Sequence, residues 1–150
     1  MQYLKDFIKS RGVGFYFTIV SILLMLIQVI LYAVSFSNEM FIQYKHWTVI
    51  FFMALAIVAG LGLSLTRWTR SFAPLAIFVL ELLSFLMFAK YGYWYFTEVF
   101  FGGVVNAETI GSMYWGYKSS IVLYVLVLIA SGASIFIKQA KNKNIVGEVE

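Results

Sequence analysis

Four long apolar runs separated by short clusters of charge set the rhythm of this chain. They lie at about 13–34, 47–66, 72–95 and 119–137. A bilayer core of about 30 Å needs roughly 20 mostly apolar residues in a helix. Backbone groups in hydrocarbon must also be satisfied within the membrane, which leaves helices rather than open strands. The pattern therefore predicts an all-α fold: an integral membrane four-helix bundle, built as one transmembrane domain over residues 1–150.

Inside the runs, the polar positions are few and regularly placed. The third run carries Glu81, about 16 Å along the helix from Arg70 and close to the expected midplane. A charged side chain there costs at least about 2.5 kcal/mol on insertion scales, so it faces the bundle interior rather than lipid. The first run carries Gly14, Ser21, Gln28 and Ser35 at heptad spacing; the fourth carries Tyr117, Tyr124, Ser131 and Lys138. Residues seven apart lie nearly above one another on a helix. At matching depth these stripes predict one interior polar cluster of Glu81, Gln28, Tyr124 and Ser131, with Ser84 a turn beyond the acid.

Small residues form a second pattern. Ala56, Gly60 and Ser64 recur every four residues in the second run, and Gly132 lies in the smooth patch 130–134 of the fourth. Such repeats let membrane helices approach closely. Packing within the four-helix unit is the expected use, with self-association or a membrane-protein partner as the second.

Charge orients the bundle. Of the 11 Lys and Arg residues, eight fall on one side: Lys5, Lys9, Arg11, Arg67, Arg70, Lys138, Lys141 and Lys143. Lys45, Lys90 and Lys118 fall on or near the other. The positive-inside bias then puts both termini in the cytoplasm, N-in and C-in. Trp68 on the inner side and Trp47, Trp94 and Trp115 on the outer side suit headgroup anchorage. The outer segment at about 96–118 is apolar for a loop and holds Gly102 and Gly103. It is expected to lie along the interface, to re-enter the bilayer, or to form a partner patch.

Composition changes the class but not this layout. The chain is 62% apolar and 12% charged, whereas soluble domains carry about 25% charge. Its +4 formal charge is split into short clusters between apolar runs, which suits topology signals better than nucleic-acid binding. There are no cysteines and one histidine, His46, so thiol chemistry and paired-histidine metal sites are excluded. No phosphate-binding glycine loop or nucleophile–base pair is present. No catalytic residue, cofactor or metal is expected; an enzyme acting on lipid would have only Glu81, Glu98, Glu108 and His46 to use.

For Glu81 two readings stand. In one, a protonated carboxyl hydrogen-bonds across helices and fixes their register. In the other, it couples transport to a proton or cation. The lack of a catalytic constellation and the small extramembrane mass favour an accessory subunit of a larger membrane transport assembly. The alternative is a homo-oligomeric transporter or channel. Terse loops and the lack of an N-glycosylation acceptor fit a bacterial cytoplasmic membrane.

Overall fold

The computed structural model describes residues 12–37, 42–66, 68–101 and 114–138. Within them the chain forms four long helices: α1 (Val13–Ser35), α2 (Trp47–Leu65), α3 (Ala73–Phe101) and α4 (Trp115–Phe136). Short 3-10 turns at Ile42–Tyr44 and Arg70–Phe72 precede α2 and α3. No strand occurs among the described residues. Four stretches, Val13–Ser35, Trp47–Leu65, Arg70–Tyr93 and Trp115–Phe136, are long and apolar enough to cross a membrane.

Helix ends follow local chemistry. Gly12 caps α1 in an extended conformation, and Pro74 occupies the first turn of α3, where its missing N–H costs nothing. Lys45 closes the other end of α1: its ammonium donates to the Ala33 carbonyl at 3.0 Å and to the Ser37 hydroxyl at 2.8 Å. A cation at a helix C-terminus satisfies carbonyls that have no partner in the helix. Helix α3 runs past Tyr95 to Phe101 and α4 starts at Trp115, ahead of Ser119. The two ends of the expected outer segment, 96–101 and 115–118, are therefore helical. Residues 1–11, the glycine pair 102–103, Glu108, Arg67 and the basic tail beyond Lys138 lie outside the described residues.

Packing follows a heptad rhythm. In α1 the buried positions are Gly14, Thr18, Ser21, Met25, Gln28, Tyr32 and Ser35, with Ile22 beside them. In α4 they include Tyr117, Ser120, Tyr124, Val127, Ser131 and Ser134. Steps of four and three alternate along both, the repeat that suits left-handed bundles with interlocking side chains. The most extensive pairings are α2 with α3 and α1 with α4; α3 also packs on α4 and α1 on α2, while α1 and α3 meet only across the diagonal. The helices thus form a ring in chain order, closed by α4 returning to α1.

That closing seam is pinned at both ends. Near the chain termini, the Gly14 amide donates to the Lys138 carbonyl at 3.2 Å, and the Thr18 and Ser134 hydroxyls lie 2.8 Å apart. Both hydroxyls also reach the Gly14 carbonyl. At the distal end, the Tyr114 hydroxyl donates to the Ser35 carbonyl at 2.7 Å.

The interior has two halves. Toward the termini the core is aliphatic, built on Ile22, Met25, Ala56, Ile77 and Val127. Toward the distal end it is aromatic, with Tyr32, Phe36, Phe88, Tyr117 and Tyr124 around Val49 and Met53. Large apolar side chains such as Ile30, Val58, Ile129 and Phe136 point outward. The pattern inverts a soluble bundle: small and hydroxyl-bearing residues meet at the seams, as in membrane helix packing.

Candidate functional site

Where the two halves of the core meet, every helix contributes at least one polar group. Helix α3 supplies Glu81 and Ser84, three residues apart and so on one face. Helix α1 supplies Gln28, α4 supplies Tyr124, and α2 supplies the backbone carbonyl of Val49. The four side chains are fully buried. Among the described residues no Lys or Arg is buried with them.

Part of the cluster is tightly bonded. The Ser84 hydroxyl donates to the Val49 carbonyl at 3.2 Å and lies 2.9 Å from the Tyr124 hydroxyl. With the serine proton committed to Val49, the tyrosine O–H donates to Ser84. The remainder is not bonded in this way. Gln28 lies within electrostatic reach of both Glu81 and Tyr124. Yet neither Glu81 oxygen nor either terminal atom of the Gln28 amide completes a hydrogen bond among the described residues. Buried polar atoms are seldom left so.

Ser131, the remaining member of the expected cluster, bonds within its own helix. It is buried, but its hydroxyl turns back on α4, donating to the Val127 carbonyl at 2.7 Å. A serine bonded to its own helix needs no partner across the seam. The expected packing residues divide too. Ala56, Gly60 and Ser64 face inward. A Cβ on Gly60 would come within 2.7 Å of the Ile77 side chain, so this glycine sets the α2–α3 spacing. Gly132 meets Phe78 at ordinary contact distance, and Gly62 has open space around it.

Several participants lie outside the expected cluster. Tyr32 is fully buried; its hydroxyl donates to the Tyr44 carbonyl at 3.2 Å and accepts from the His46 amide at 3.1 Å. The His46 ring stacks on Tyr91 with centroids 3.5 Å apart. Tyr95 stacks on Tyr117 at 4.3 Å and accepts from the Tyr114 amide. Helical periodicity marks Tyr32 and Tyr117 as inward, four and seven residues from other seam positions, but the loop residues Tyr44 and Tyr114 carry no such signal.

Ring contacts link these side chains in series: Tyr117 meets Tyr44 at 6.2 Å and Phe88 at 5.5 Å, and Phe88 meets Tyr32 at 6.1 Å and Tyr124 at 5.3 Å. The distal core is thus a connected set of aromatic rings, while the core toward the termini is aliphatic with buried hydroxyls such as Ser21 and Ser64 among it. Comparison with family models, with curated proteins and with solved structures finds no match for this chain.

Proposed function

We propose that this protein is a small, non-enzymatic membrane subunit whose apolar outward faces pack against a larger protein in a transport assembly. The observation that carries this reading is the closure of the bundle around its own polar groups: Glu81, Gln28, Ser84 and Tyr124 are all sealed inside one chain. Hydroxyls at both ends of the α1–α4 seam are likewise spent on holding helices together. What remains on the outside is largely apolar side chain, and such surface is available to lipid or to another membrane protein. The setting is a bacterial cytoplasmic membrane with both termini on the cytoplasmic side. Gentle extraction followed by native mass spectrometry tests this: the 17.1 kDa chain is expected in fixed stoichiometry with a different, larger chain. Recovery only as multiples of its own mass defeats the reading.

A second reading is favoured by one specific observation, the unbonded Glu81–Gln28 pair. In it, a homo-oligomer of the chain carries a proton or small cation past Glu81. Flux through liposomes of the purified chain, abolished by Glu81→Gln, is the outcome it requires.

A further inference from the structure

We propose that Glu81, Gln28, Ser84 and Tyr124 form a binding site for one sodium ion. The inference shares its acid with the second reading above, but it concerns binding and does not require transport.

The donor set comes first. Glu81 carboxylate, Gln28 amide oxygen and the Ser84 and Tyr124 hydroxyls are all hard oxygen ligands, and such ligands suit hard cations. The Tyr124 O–H is turned toward Ser84 at 2.9 Å and the Ser84 O–H toward Val49. Each hydroxyl therefore keeps oxygen lone pairs for a third party. The Glu81 and Gln28 oxygens, fully buried, have no hydrogen-bond partner among the described residues although their side chains interact. Oxygens surround a calcium-sized cation at about 2.3–2.6 Å, and sodium has that size.

Charge decides the valence. Among the described residues no group of three His, Cys, Asp or Glu gathers, and the cluster has a single carboxylate. One monovalent cation makes it neutral; a divalent cation would leave a buried net charge, which a low-dielectric interior resists. A proton on Glu81 also makes it neutral.

The test uses the full-length chain in lipid nanodiscs, with sodium chloride titrated against choline chloride at constant ionic strength. Infrared spectroscopy follows the protonated-carboxyl stretch, and thermal unfolding is recorded alongside. Sodium, but not choline, is expected to abolish the band and raise the melting temperature. Glu81→Gln removes the band and the sodium response; Tyr124→Phe and Ser84→Ala keep the band and weaken the response. If the glutamine variant fails to fold, the wild-type titration decides alone. A band unmoved by sodium, or moved equally by choline, overturns the site. A sodium response in a protein that gives no liposome flux supports the site and removes the transport reading.

Discussion

Single hydroxyls hold this interior, and their individual worth can be measured. Removing the Tyr124 hydroxyl takes away the donor to Ser84 but leaves the Ser84–Val49 bond at 3.2 Å in place. Tyr124→Phe is expected to destabilise the fold by about 0.6–1.7 kcal/mol, the range found for hydrogen bonds between membrane helices. Reversible unfolding in mixed micelles measures it, and a larger loss would mean that the hydroxyl also organises Gln28. At the other end, Thr18→Val and Ser134→Ala remove a pair 2.8 Å apart. A double-mutant cycle should return a coupling of about 0.6 kcal/mol; additive effects would dissolve the pair. The burial of Glu81 and the inward faces of Gln28 and Tyr124 were legible in the chain because an acid within an apolar run must turn inward and a heptad repeat is arithmetic. The behaviour of Ser131 was not, since a hydroxyl bonded to its own helix and one bonded across a seam look the same in sequence. Thr18 and Ser134 were missed for a related reason: each reads as one more small residue until the register of α1 against α4 is known.

At the scale of helices, two glycines two residues apart make opposite predictions. Gly60 has no room for a side chain against Ile77, whereas Gly62 faces open space. Gly60→Leu is expected to cost about 1–3 kcal/mol or more through overpacking, while Gly62→Leu leaves unfolding unchanged. Equal effects would show that α2 is rotated from its assigned face. The closing seam can be trapped covalently, because the chain has no cysteine of its own. Thr18→Cys with Ser134→Cys should oxidise to an intramolecular disulfide, detected as a mobility shift reversed by reductant. Pairing only between chains would contradict the α1–α4 contact. The helices themselves were legible from four hydrophobic runs. The extension of α3 to Phe101 was not, because Trp94, Glu98 and their neighbours break the apolar run without breaking the backbone pattern, and hydropathy records only the former.

For the whole molecule, the outward faces determine the medium. Val58 lies mid-helix on α2 and is 66% exposed. Val58→Lys should add about 2.5–3.5 kcal/mol to the insertion of that helix, read as loss of membrane-integrated chain in a translocation assay. Val13→Lys, at a helix end where the ammonium can reach the headgroups, should integrate normally. Equal integration of both variants would argue against a spanning α2. The class, four helices long and apolar enough to span a membrane, was legible from composition and run length; whether an outward face would suit lipid or another protein is not written in hydropathy, since either surface would be greasy.

The closure of the ring by α4 onto α1 has a consequence for biosynthesis. As the polypeptide leaves the ribosome, α2 and α3 can dock as soon as both are threaded, but the helix that satisfies Thr18 and supplies Tyr124 is translated after them. Until it arrives, the acid and the glutamine are shielded on one side only. A nascent chain stalled before Trp115 should accordingly linger at the translocon or be handed to quality-control proteases, and release of the stall should rescue it.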